Sequence, residues 1–198
     1  MEMHAFYLVL ALVVMLPPLP FYGEVRRTLS SSRRNARVNA AATARVWQNW
    51  VDFIRAAFGA YLLKQWTTLA DAQAPGSEEK HVLITALILS IVLLVQTVRI
   101  LRNVQLLAPI FYLCGLTLVF GGWAQGAFAV AVGWLFAIGG KNLAYQLPAM
   151  AVALAAAGYV LGLGTPLLLN CALIFLPLVL SLLFRRRLLV AAANSAMA

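Results

Sequence analysis

The amino-acid sequence predicts an all-α fold, a polytopic bundle of about seven transmembrane helices. Of the 198 residues, 63% are hydrophobic and 11% are charged, and the mean hydropathy is +0.88. Soluble domains are about half apolar and about a quarter charged, and a soluble fold of this length cannot hide such an excess of apolar surface. The same values exclude intrinsic disorder, which requires low hydrophobicity.

Long apolar runs are the second observation that predicts this class. A helix needs roughly 20 apolar residues to cross a hydrocarbon core of about 30 Å. Six runs approach this length, near residues 5–22, 82–98, 106–123, 127–140, 147–163 and 166–184. The first has no Lys or Arg before it and ends around Pro17 and Pro18 without an Ala-x-Ala motif. We therefore expect a retained first helix that breaks near the prolines, not a cleaved signal peptide.

A seventh span over residues 46–66 is ambiguous by hydropathy, because it contains Gln48, Asn49, Asp52 and Arg55. An amphipathic helix lying in the membrane interface is the alternative. If the segment spans, 12 of the 15 Lys and Arg residues fall in loops on one side. If it lies flat, this bias disappears. Because basic residues collect in cytoplasmic loops, we expect seven spans with an outer N-terminus, a cytoplasmic C-terminus and a location in a bacterial inner membrane.

Two longer connections join the predicted spans. Residues 67–81 form a polar external loop, and residues 23–45 form a basic cytoplasmic segment. The basic segment is interpreted as a topology signal and a contact for anionic lipid headgroups or for a protein partner. It has no aromatic residue to stack on bases, so a nucleic-acid partner is not expected. Its arginines include Arg26, Arg27, Arg33, Arg34 and Arg37.

Polar residues within the spans are the first candidate site. Asp52 and Arg55 are three residues apart and share a helix face, and charges at membrane depth normally face water or the bundle interior. They would serve as an ion relay or substrate counter-charge, or as a self-neutralising structural pair. Four further polar residues could line a vestibule with Asp52 and Arg55 at the cytoplasmic end. The alternative is that they form hydrogen bonds between neighbouring helices. These residues are Gln96, Arg99, Asn142 and Gln146.

Small residues recur at helical spacing in the fifth and sixth runs. This spacing places them on one helix face and allows helix backbones to approach closely. We expect these helices to pack tightly, with each other or across the axis of a homo-oligomer. The residues are Ala129, Gly133 and Ala137, followed by Ala151, Ala155, Gly158 and Gly162.

Motifs for hydrolytic, nucleotide-binding or metal chemistry are missing from the sequence. The two histidines lie in different segments, and the two cysteines lie inside apolar runs. Neither a metal, a cofactor nor a disulfide is expected. A channel or transporter acting as an oligomer is the leading expectation. The alternatives are a non-catalytic accessory or scaffold subunit of a membrane complex, and a lipid-modifying enzyme whose Arg55 and Arg99 hold a phosphate.

Overall fold

Seven α-helices make up most of the part of the chain that the structure describes, and the prediction of a predominantly helical class is confirmed. The computed structural model describes residues 3–16, 26–28, 43–74, 76–100, 104–161, 165–185 and 188–191. A 3-10 turn over Leu143–Tyr145 leads into the sixth helix. The helices are α1 (Met3–Met15), α2 (Trp47–Gln73), α3 (Glu78–Thr97), α4 (Ile110–Phe120), α5 (Trp123–Gly139), α6 (Gln146–Leu161) and α7 (Thr165–Leu183).

A small four-stranded sheet is the main departure from the sequence prediction. Its strands are β1 (Arg26–Thr28), β2 (Val98–Ile100), β3 (Val104–Leu107) and β4 (Leu188–Ala191), in the order β1-β4-β3-β2. The β2–β3 hairpin is antiparallel, β4 lies parallel to β3, and β1 is antiparallel to β4. This pairing satisfies backbone groups where the chain leaves the helices.

The helix bounds differ from the apolar runs in two places. Helix α2 continues to Gln73, well into the segment predicted as an external loop, and the turn that follows it contains Gly76 at φ +88°. Helix α4 has only 11 residues, about 16 Å at the usual rise. The start of its apolar run belongs to β3, and the residue before the helix is Pro109.

In the part of the chain that the structure describes, two helical stretches are long and apolar enough to cross a bilayer. These are Glu78–Thr97 and Leu143–Leu161. Four further apolar stretches are shorter, namely Ala5–Met15, Ile110–Phe120, Trp123–Gly139 and Leu169–Leu183.

Helix α4 occupies the centre of the packed helices, since nine of its 11 residues are buried. Helix α2 packs between α1 and α4, while α5, α6 and α7 follow one another in contact. Helices α4 and α2 approach each other closely at Gly115, where an added Cβ would meet the Phe53 carbonyl oxygen and the Ala56 side chain.

The molecule has two distinct ends. We call the end that carries the sheet the sheet end; α3 and α7 run into its strands and α4 starts from them. The opposite end, here the far end, contains the α2–α3 turn at Gly76 and the α4–α5 turn at Gly122. Successive helices therefore alternate in direction between the two ends.

Candidate functional site

A cavity of about 320 Å³ lies at the far end, between α2, α3, α4 and α7. We call it the far-end cavity. Its walls are mainly apolar and include Val82, Leu89, Phe120 and Leu173. Polar groups come from three of the four helices, and they are Lys64, Thr67, Asp71, His81, Thr85 and Asn170.

A carboxylate–imidazole pair forms part of the cavity lining. The Asp71 carboxylate lies 2.5 Å from Nδ1 of His81, and the edge of the Trp66 ring packs against the imidazole. Asp71 is in the last turn of α2 and His81 in the first turn of α3, so the Gly76 turn brings them together. The pair therefore ties the α2–α3 hairpin together beside the cavity.

Lys64 supplies a positive charge to the cavity. Its side chain is exposed, and within the described ranges no carboxylate lies within salt-bridge distance of its ammonium group. The three N–H donors of this group are therefore available to a ligand.

Two buried polar groups in the cavity wall have no hydrogen-bond partner among the described residues. They are Nδ2 of Asn170, a residue only 2% exposed, and Oγ1 of Thr85, which is 8% exposed. Buried polar groups in proteins are normally paired, and leaving one unpaired costs about 1–3 kcal/mol. A ligand acceptor in the cavity would offset this cost.

This cavity was not predicted from the sequence, because residues 67–81 were assigned to a polar loop. A usable signal was present in the spacing. Lys64, Thr67 and Asp71 follow steps of three and four, and His81, Thr85 and Leu89 follow steps of four. Both patterns place the residues on one helix face.

The predicted polar residues near the start of α2 lie at the sheet end, against the end of α1. Arg55 donates from Nε to the Val14 carbonyl and from Nη2 to the Met15 carbonyl, both at 3.1 Å. Its Nη1 donates to Asp52 at 3.0 Å, and Nε2 of Gln96 donates to the Met15 carbonyl at 3.3 Å. The last carbonyls of a helix lack partners within the helix, and a cation there is favoured by the helix dipole. These side chains therefore cap α1.

The other members of the predicted vestibule make different contacts. Gln146 is buried and donates from Nε2 to Sγ of Cys114 at 3.2 Å. The Asn142 side chain accepts from the Ala144 amide and so caps the 3-10 turn. Arg99 lies in β2, and its side chain is outside the described part. The hydrogen bonds thus divide the six residues into separate groups.

The backbones of three basic segments meet in the sheet. Strand β1 carries Arg26 and Arg27 and pairs with β4. Strand β4 also pairs with β3, and β3 pairs with β2, which carries Arg99. The side chains of these three arginines are not described. Arg33, Arg34 and Arg37 lie outside the described residues.

The small residues of α5 and α6 contact different neighbouring helices. Ala129, Gly133 and Ala137 are all buried, and an added Cβ on Gly133 would lie 3.0 Å from Met150 on α6.

In α6, Ala151 and Gly158 are buried. The Ala151 backbone carbonyl accepts from Sγ of Cys171 on α7, and an added Cβ on Gly158 would overlap the Leu167 side chain of the same helix. Ala155 is exposed on the single chain, so only packing across the axis of a homo-oligomer would bury it. Gly162 is outside the described residues.

Metal ligands do not cluster in this part of the protein. Among the described residues, no three His, Cys, Asp or Glu side chains come together, and both cysteines are free thiols. No protein-family model, curated protein or solved structure matches the chain.

Proposed function

We propose that this protein is a seven-span integral membrane protein that takes a small molecule into the far-end cavity and transports it across the membrane. The far-end cavity carries this proposal. It combines apolar walls with an ammonium group and two buried polar groups that have no partner among the described residues. A mainly apolar pocket with a few convergent polar groups is the usual form of a small-molecule site.

The exposed side chains support a membrane location. Large apolar residues are exposed on all the described helices except the central α4, for example Leu83 at 71% on α3 and Tyr159 at 91% on α6. Extensive exposed apolar surface is unfavourable in water, whereas lipid tails cover it without cost. The two membrane-length stretches and the four shorter apolar ones point the same way.

The alternating helix directions support the seven-span arrangement. Because most of the described basic residues lie at the sheet end, this end is proposed to be cytoplasmic and to face anionic lipid headgroups. The far-end cavity then lies on the outer side, where a solute from outside can enter it.

The contacts of Arg55 disfavour the lipid-modifying enzyme. Its guanidinium donates to two carbonyl groups of α1 and to Asp52. It is therefore engaged in holding the fold and is not free to bind a phosphate.

Uptake into liposomes tests the transport proposal. The purified protein is reconstituted into phosphatidylcholine vesicles with three membrane-impermeant aromatic solutes, the anion 2-naphthalenesulfonate, zwitterionic tryptophan and the cation N-methylquinolinium. We expect uptake of at least one solute above that of protein-free vesicles. Ala86→Phe, which fills the cavity, should abolish this uptake.

The control variant is Ala127→Phe, which adds the same ring at an exposed position of α5. It should retain uptake. Absence of uptake for all three solutes, or equal loss in the two phenylalanine variants, would contradict the proposal.

A further inference from the structure

We infer that the far-end cavity binds a small amphipathic organic anion, one negatively charged group on an apolar body. The inference rests on the proposed function only in treating the cavity as a ligand site. It concerns what is bound and does not require that the bound molecule is carried across the membrane.

The walls determine the body of the ligand. Leu89, Phe120 and Leu173 enclose much of the interior, and apolar surface removed from water by a ligand favours binding. At about 320 Å³, the cavity is near the lower end of ligand pockets, which span about 300–1,000 Å³. It therefore fits one or two rings or a short chain, not a whole phospholipid.

The available donors determine the charge of the ligand. The Lys64 ammonium group has no carboxylate partner among the described residues, and the Asn170 amide has an unpartnered Nδ2. Both groups can only donate through these atoms, so they require an acceptor on the ligand. A charged acceptor is favoured because hydrogen bonds between ionised groups are stronger than neutral ones.

The cavity is less suited to a cation. Asp71 is the carboxylate in its lining, and that group is already hydrogen-bonded to His81. A cationic ligand would share this carboxylate with the imidazole and would lie close to the Lys64 ammonium group, which repels it. An anion instead meets an ammonium group that has no carboxylate partner among the described residues.

Calorimetric titration of the protein in phosphatidylcholine nanodiscs tests this inference. Three probes share similar two-ring bodies and differ in charge, 2-naphthalenesulfonate, 2-naphthalenesulfonamide and N-methylquinolinium. We expect the anion to bind about tenfold or more tightly than either of the others. Equal affinity for the three probes, or no binding of any, would overturn the inference.

Variants then locate the anion. Lys64→Met should weaken binding of 2-naphthalenesulfonate about tenfold, and Lys64→Arg should retain it. Asn170→Leu should also weaken binding, and because it removes an unpaired buried amide it should not lower the unfolding temperature. Lys80→Met is the matched control, since Lys80 is an exposed lysine in the first turn of α3 that does not line the cavity. Equal effects of Lys64→Met and Lys80→Met would contradict the site.

The two proposals fail in different ways. Selective binding of the anion without uptake by liposomes would remove transport and retain the ligand assignment. Uptake of tryptophan or N-methylquinolinium that Ala86→Phe abolishes, without binding of the anion, would retain transport and remove the ligand assignment.

Discussion

Arg55 illustrates how a charge is accommodated among apolar helices. The Arg55 side chain is only 14% exposed, and a buried charge is costly unless it is paired and hydrogen-bonded. Its guanidinium donates three hydrogen bonds, to the carbonyl oxygens of Val14 and Met15 and to the Asp52 carboxylate. These contacts favour the structural interpretation of the Asp52–Arg55 pair over the relay interpretation.

Replacing Arg55 should destabilise the protein. We expect Arg55→Met to lower the free energy of unfolding by about 1–3 kcal/mol, because it leaves two α1 carbonyls and the Asp52 carboxylate without these donors. Arg55→Lys should recover part of the loss, since one ammonium cannot reproduce the planar fork of a guanidinium. Denaturant unfolding in detergent, followed by circular dichroism, measures the effect.

Lys80→Met provides the comparison at an exposed position, where a change within about 0.5 kcal/mol is expected. If Arg55→Met and Lys80→Met unfold alike, Arg55 does not cap α1.

At the scale of elements, the contact between α4 and α2 depends on a glycine, Gly115, which has no side chain. Built onto Gly115, a Cβ would lie 2.9 Å from Cβ of Ala56 and 2.9 Å from the amide nitrogen of Ala57, and closer still to the Phe53 carbonyl. Two of these neighbours are backbone atoms of α2, which cannot move aside alone. The short, buried α4 therefore needs glycine here.

Gly115→Ala should reduce the free energy of unfolding by about 1–3 kcal/mol through overpacking. Gly139→Ala is the matched control near the end of α5, where an added Cβ meets nothing within 4 Å. That change should stabilise the protein by up to about 1 kcal/mol. Parallel denaturant titrations in detergent compare the two, and a Gly115→Ala variant as stable as Gly139→Ala would refute the close contact.

The elements themselves were unequally predictable from sequence. Helix α2 was expected because both interpretations of residues 46–66, a membrane span and an interfacial helix, are helical. The distribution of the basic residues favoured the span, which belongs to the proposed function. The strands were missed because they have only three or four residues and lie in or beside apolar runs, where no periodicity is readable. The partners of β4 are also distant from it in sequence, as Arg27 of β1 pairs with Val190.

The candidate site was only partly predictable for the same reason. The residues Arg55 and Gln96 were selected as intramembrane polar groups, but their shared partner is the Met15 carbonyl, a backbone atom that no side-chain pattern reveals. Four helices together form the far-end cavity. The residue spacing along α2 and α3 indicated two of its walls, and no sequence pattern indicated the other two.

On the scale of the whole molecule, the sheet end and the far end differ in charge. The sheet joins strands that carry or adjoin three of the basic segments, whereas the α2–α3 turn lies between Asp71 and the pair Glu78 and Glu79. This separation is what the positive-inside rule requires of a protein inserted with its sheet end in the cytoplasm.

Cysteine labelling should reveal this orientation. In a Cys114→Ala, Cys171→Ala background, a membrane-impermeant maleimide should label Ser77→Cys in spheroplasts, whose cytoplasmic membrane is intact. Lys141→Cys and Ser31→Cys should react only after permeabilisation. Labelling of Ser31→Cys and Ser77→Cys from the same side would refute the seven-span proposal.

Composition and hydropathy determined the helical class of this protein by themselves, because apolar transfer free energies add along the chain and do not depend on which helices become neighbours. The sequence also identified the apolar helices and the one-sided distribution of basic residues. Only the tertiary structure decided the strand pairing, the capping of α1 by Arg55, the division of the α6 small residues and the existence of the far-end cavity. Each of these depends on contacts between residues far apart in the chain, and small differences in backbone approach determine whether a gap, a hydrogen bond or a close contact results.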